Sequence, residues 1–257
     1  MRQPPSAPTP AAGPACDCDA DPIGCLKQMF VDLVQRGRIE RGQSPARRPV
    51  FLRLHGVAHG RFEVVPDLSA GLAVGLFTPG VSYPAWVRFS SDLPDGRPDL
   101  KSTVGVGIKL FGVPGRTVLA PDAGARTADF VLQNMDVFFV DDAREMCAFT
   151  KASLTSPAAA AAWLKDHPRT AEVLDAMEKV VPTVLGAEVW SVIPFRFGAD
   201  RWCKYKLEPE VVPEGPEPDY DDPDYLRADL AARLARGEAR FRFAVQLRTD
   251  PDAMPLD

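Results

Sequence analysis

The chain has three histidines, His55, His59 and His167, and a single asparagine, Asn134. His55 and His59 stand four apart in HGVAHG, a spacing that on a helix would turn two imidazoles to one metal. Gly56 and Gly60 argue against a helix there, and no carboxylate adjoins the pair, so no metal site is expected. His59 is expected to be an ordinary hydrogen-bonded histidine, and His167, followed by Pro168, a surface residue at a helix end. Asn134 interrupts the apolar run FVLQNMDVFFV, where a polar amide needs a hydrogen-bond partner or a ligand. Period two aligns Phe130, Leu132, Asn134 and Phe138, so the amide is either part of a pocket wall or a core group bonded to backbone. In AWVRFSS, Trp86, Arg88 and Ser90 share a face. A guanidinium between an aromatic ring and a hydroxyl suits a carboxylate, or is simply a solvated arginine. Gly105 and Gly107 leave one side of VGVGIKLF open to a ligand or to another backbone. No Gly-Lys-Ser/Thr follows, so this is not a phosphate loop.

The elements that must position these residues change character along the chain. IGCLKQMFVDLVQR (23–36) has helical spacing, with Gly37 as its stop. From Val50 to Val140 short strands alternate with Pro, Gly and Asp clusters: RFEVV, AWVRFSS, VGVGIKLFGV and DFVLQNMDVFFV. Asp141 and Asp142 can cap a helix from Ala143, Ser156-Pro157 a second and Thr170 a third. Strands return in VWSVIPFRF and RWCKYKLEP, a helix runs from Pro223 to Gly237, and ARFRFAVQLR alternates as a last strand. Runs of strands with segregated helices predict an α+β fold built on an antiparallel sheet or barrel.

Length, 257 residues, suits one large domain or two small ones. Net charge is −5 with scattered basic residues, so no stripe exists to replace phosphate counterions and nucleic-acid binding is not expected. No apolar run approaches the roughly 20 residues of a membrane span. Residues 1–22 read as a disordered leader rich in Pro and Ala, without the pattern of a signal peptide, and a cytoplasmic location is the expectation. Cys16, Cys18 and Cys25 lack a fourth ligand and no histidine is close, so they are expected to be free thiols on a flexible arm.

The segments HGVAHGRFEVVPDL, YPAWVRFSSD, PDLKSTVGVGIKLFGVPG, DFVLQNMDVFFVDD, WSVIPFRFG, CKYKLEP, YLRADLAARL and RFRFAVQLRTDPDAMPLD, in this order, resemble the catalase superfamily. They are most similar to its short branch of catalase-related peroxidases and allene oxide synthase domains, over residues 45–257. The resemblance implies an antiparallel β-barrel with a helical insertion, and residues 23–257 as one haem-binding domain. It implies haem b as cofactor and hydrogen peroxide or an organic hydroperoxide as substrate, or, in a non-catalytic descendant, haem or an apolar ligand held without turnover. Asn134 would hydrogen-bond the peroxide; Phe138 would be the distal aromatic; Arg88 and Ser90 would support the haem; Arg48 would pair with its propionates. The family's distal histidine falls on Phe51 here, so either His55 takes over the proton transfer or no distal base exists. The family's proximal tyrosinate lies on a helix beyond the last strand, and the chain ends at MPLD before such a helix. Tyr205 shows an Arg-x-x-x-Tyr spacing with Arg201, but in a strand, and is not taken as the ligand. A barrel short of one strand would expose an edge, which favours a homo-oligomer.

Overall fold

The computed structural model describes residues 14–93, 96–117 and 124–256, and the first thirteen residues of the expected leader lie outside them. The described residues divide into two compact units, one of 14–49 with 138–175, the other of 50–93, 96–117, 124–137 and 176–256.

The first unit is helical. α1 (Pro22–Lys27) is capped by Asp21, runs on through a π-helical stretch (Gln28–Arg36), and ends in α2 (Gly37–Glu40). Gly37 is therefore not a stop: its φ of −59° is helical, and the chain turns instead at Gly42, where φ is +77°. Asp142 caps α3 (Ala143–Thr155) by accepting from Arg144 N and Glu145 N. Ser156 caps α4 (Pro157–Asp166), as its Ser-Pro start predicts. α5 (Pro168–Met177) starts two residues ahead of the expected cap, because Pro168 serves as a first helical residue and Thr170 lies inside.

The cysteines of this unit correct the expectation of free thiols. Cys16 is bonded to Cys25 and Cys18 to Cys147. Spacing could not show this, since Cys147 arrives on α3 from 129 residues along the chain. Met29 and Leu26 pack against the sulfurs, and the segment from Cys16 onward is tied down.

The second unit is an eight-stranded antiparallel sheet. β1 (Arg53–Glu63), β2 (Ser82–Ser91), β3 (Val104–Phe111) and β4 (Thr127–Gln133) follow one another as neighbours, then β5 (Val189–Ser191), β7 (Arg201–Val211) and β6 (Phe195–Phe197), with β8 (Arg240–Leu247) also on β7. The single strand expected over VWSVIPFRF is two, β5 and β6, parted at Pro194, which has no N–H to donate to a ladder. β4 stops at Gln133, so Asn134 lies one residue past it and Phe138 is in no strand.

The sheet curls but does not close among the described residues: the expected antiparallel sheet is present, and a closed barrel is not shown. Among the described residues β1 and β8 share no backbone ladder. They meet instead through aromatic side chains: Phe243 of β8 lies 5.1 Å from Phe62 of β1 and 4.7 Å from Phe130 of β4, ring centre to ring centre. Phe77 and Tyr205 complete the cluster. Offset and edge contacts of this kind add to the burial of large apolar areas. α6 (Tyr225–Leu234) lies against β1, and a Cβ on Gly56 would come within 2.8 Å of Leu230 Cδ2.

Candidate functional site

Strand parity sorts the candidate residues onto two faces of β1–β4. Ala85, Phe89 and Ser91 point into the core, whereas Trp86, Arg88 and Ser90 point outward. Registers Ser90↔Gly105↔Gln133 and Arg88↔Gly107↔Val131 extend the outer face across β3 and β4. Arg88 and Ser90, paired with Gly105 and Gly107, are thus brought together.

His55 is not with them. β1 carries a bulge between Leu54, opposite Ser90, and Gly56, opposite Phe89. The extra residue is His55, and a bulge lets two successive residues lean to one side. Its ring is buried on the inner side, with Nε2 2.8 Å from Ser91 Oγ, which is 2.9 Å from Ser102 Oγ. Nδ1 lies 3.7 Å from Asp99 Oδ2, beyond hydrogen-bond reach, and has no partner among the described residues. Asp99 accepts from Leu226 N at 3.1 Å and faces Arg53 Nε at 3.4 Å. Burial, helped by Arg53, Arg227 and Arg88, pushes the His55 pKa down to about 4. Burial also raises the Asp99 carboxyl, against the pull of Leu226 N–H and Arg53. Asp99, His55 and Ser91 have the composition of a nucleophilic triad, yet Ser91 and Asp99 are fully buried and no substrate reaches them.

Asn134 is also turned to structure. Its backbone N–H donates to Val104 O and its Oδ1 accepts from Val104 N, both at 3.0 Å. Nδ2 donates to Met177 O at 3.5 Å, and Lys179 Nζ donates to the Asn134 carbonyl at 3.1 Å. The amide continues the β3–β4 ladder one step past the end of β4.

Gln133 was missed by the sequence reading. It shares the outer face with Ser90 and Gly105, and its Nε2 is buried without a partner among the described residues. Parity was the available signal: Phe130 and Leu132 are core residues, so their period leads inward to Asn134, while Val131 and Gln133 point the other way.

Phe51 stands at the edge of this face in a left-handed conformation, φ +52°, rare for a bulky residue. Its N–H donates to Asp92 Oδ1 and its carbonyl accepts from Arg88 Nη2, both at 2.8 Å. The ring covers Gly105, where a Cβ would come within 2.5 Å of it. Arg88 Nη1 also donates to Ser90 Oγ at 2.5 Å. Around Gly107 the face is open: a Cβ there would meet only Arg88 Cβ, at 4.0 Å. Val131 and Val57 flank it, 66% and 52% exposed. His59 lies further along the same face, exposed and stacked on Trp86 at 5.2 Å.

Arg48 and Phe138 belong to the helical unit. The Arg48 carbonyl accepts from Arg38 Nη1 at 2.6 Å and its side chain is exposed; Phe138 packs on Phe139 at 4.6 Å. His167, partly buried, stacks on Trp163 at 3.6 Å.

No family model matches the chain. A catalase-related peroxidase of Mycolicibacterium paratuberculosis is 29% identical over 186 residues, 68% of this chain and 57% of that protein. The chain is thus similar to proteins of the catalase superfamily. A bacterial catalase superimposes with a TM-score of 0.63 at 19% identity, over 87% of this chain and 46% of its own. A fungal catalase gives 0.62 at 18%, over 88% and 48%. The chain thus spans about half the length of these catalases and 57% of the curated relative.

Set against a haem, the outer face offers an apolar, side-chain-free floor at Gly107, a cation in Arg88 and, among the described residues, an unsatisfied donor in Gln133. These fit a flat macrocycle with carboxylate arms. No tyrosine of this unit shares the face: Tyr83 and Tyr225 donate their hydroxyls to Leu76 O and Val181 O, Tyr205 is buried in the aromatic cluster, and Tyr220 packs on Tyr225. No helix among the described residues is long and apolar enough to cross a membrane.

Proposed function

We propose that the protein is a catalase-related oxidoreductase that holds haem b on the outer face of β1–β4 and acts on hydrogen peroxide or an organic hydroperoxide. The supporting observation is the glycine floor at Gly107 beside Arg88, with the Gln133 amide unsatisfied on the same face. Bound haem would supply the redox chemistry, which no side chain here can perform. Arg88 would pair with a propionate, a geometry suited to guanidinium. Gln133 Nε2 would donate to a peroxide oxygen, the role that the resemblance gave to Asn134, whose Oδ1 is held by Val104. Ser90 keeps Arg88 oriented. His55 is neutral down to a pH of about 4 and lies on the inner side, so proton transfer at the outer face falls to another group.

A second reading is haem or apolar-ligand binding without turnover. It is favoured by Phe51, which stands in the distal base's place and lays its ring over Gly105. Haem titration of the purified full chain tests both. A stoichiometric Soret band with peroxide consumption above that of free haem supports the enzyme; the band without consumption supports the binder. Absence of a specific band removes haem from both readings.

A further inference from the structure

We propose that Cys16, Cys18, Cys25 and Cys147, when reduced, form a binding site for one soft divalent cation of the Zn2+ class. Sequence spacing leaves the first three without a fourth ligand, and the fold supplies it from α3. The sulfurs of Cys16, Cys25 and Cys147 lie within 4.8 Å of one another, and Cys18 is bonded to Cys147. Zinc–thiolate bonds of about 2.3 Å set tetrahedral sulfurs about 3.8 Å apart, so the three clustered sulfurs already lie near that spacing and Cys18, released from Cys147, would complete the set by side-chain rotation. Cα separations of 5.5 Å and 5.6 Å within the two cysteine pairs leave room for either state. Cys25 and Cys147 are buried, and Met29 and Leu26 shield the cluster, as a closed structural site requires. Lys151 Nζ, donating to Cys16 O at 2.8 Å, brings a cation to a cluster that would otherwise carry net negative charge.

The conversion balances. Two equivalents of a dithiol reductant each pass two electrons and two protons to one disulfide, becoming cyclic disulfides themselves. The four thiols then lose their protons as the metal binds, leaving a tetrathiolate centre of net charge −2. Two equivalents of a small-molecule disulfide, each accepting two electrons and two protons to become two thiols, would re-form the two protein disulfides and expel the cation. The chain would therefore tie its N-terminal segment to α3 in either redox state, by sulfur–sulfur bonds or through a metal.

The test uses the full chain, reduced under anoxic conditions, freed of reductant and titrated with Co2+. The expected result is one Co2+ per chain, with thiolate-to-cobalt charge transfer and tetrahedral d–d bands that Zn2+ bleaches. Cys16→Ser and Cys147→Ser should lose the bands, and Cys203→Ser, which alters the buried free thiol of the sheet unit, should keep them. If a serine variant misfolds, alkylation of the unaltered chain decides: Zn2+ should protect these four thiols, and a chelator should expose them. Two disulfides re-forming in the presence of Zn2+ without metal uptake, or alkylation indifferent to Zn2+, would overturn the proposal.

Discussion

The two faces of β1–β4 carry similar polar residues in opposite states. On the inner side hydrogen bonds link His55, Ser91 and Ser102, while Asp99 holds Leu226 N and faces Arg53; none of the four is exposed, and His55 Nδ1 and Asp99 Oδ1 have no partner among the described residues. On the outer side Arg88 adjoins an open Gly107, the Phe51 ring covers Gly105 beside Ser90, and the buried Gln133 Nε2 has no partner among the described residues. Polar groups enclosed on every side specify packing; an open surface beside a cation is where a ligand can be held. The difference teaches that the histidine, the residue type most often given to chemistry, is here the structural one.

That contrast is most easily broken from the inside. Asp99→Ala would leave the buried Leu226 N–H without its acceptor and take one of two carboxylates from Arg53, which keeps Asp224. Leaving a buried group unsatisfied costs about 1–3 kcal/mol, more where a charge is involved. Urea denaturation of the full chain should show a loss of this order, and haem affinity of the surviving folded fraction should be unchanged. Wild-type stability with weakened haem binding would reverse the assignment of the two faces.

The same network predicts a pH dependence. His55 has a pKa of about 4 in the fold against 6.5 as a free side chain, so between these values the unfolded chain binds more protons. Stability should therefore fall as pH drops from about 6.5 towards 4, by up to about 3 kcal/mol at 1.36 kcal/mol per pKa unit. Asp99 works the other way: its raised pKa means that its contribution falls as pH rises out of the ordinary carboxylate range. Denaturation midpoints measured across this range should slope downward on acidification, and His55→Gln should flatten the slope. An equal slope in the variant would place the titrating group elsewhere.

The outer face is tested by filling it. Gly107→Val adds a β-branched side chain where only Arg88 Cβ is near, and valine suits a strand better than glycine. The fold should be unharmed or gain about 0.5–1 kcal/mol. Haem affinity should weaken about tenfold, roughly 1.4 kcal/mol. Unchanged haem affinity would move the cofactor off this face.

Much of this face was legible in the sequence, and the inner network was not. Trp86, Arg88 and Ser90 alternate in a strand without irregularity, so parity alone grouped them, and it grouped Gly105 with Gly107 in the same way. Parity failed at His55, because the bulge that turns it inward arises where Gly56 meets Leu230 of a helix some 170 residues further on, as the 171-residue Arg53–Asp224 span beside it shows. At Asn134 parity leaves two readings open, pocket wall or core amide bonded to backbone, and the structure takes the second, one residue past the end of β4 at Gln133. The disulfides escaped for a related reason, since a contact between Cys18 and a helix in the middle of the chain leaves no mark on local spacing.

The smallest effect sharpens the comparison most, because its sign differs between the faces. Asn134→Leu removes groups that bond Val104 N and Met177 O and should lower stability by about 1–3 kcal/mol, the desolvation penalty of partners left unpaired. Gln133→Leu removes a buried donor that has no partner among the described residues, so it should be neutral or stabilising by about 1 kcal/mol. In the haem-loaded protein the order reverses: Gln133→Leu should weaken cyanide binding, which needs a donor at the distal side, while Asn134→Leu should leave it unchanged once folded protein is counted. Thermal denaturation and a cyanide titration of the two variants separate the cases. Cyanide binding that responds to Asn134 and ignores Gln133 would return the ligand-facing role to the asparagine and leave the orphaned glutamine amide unexplained.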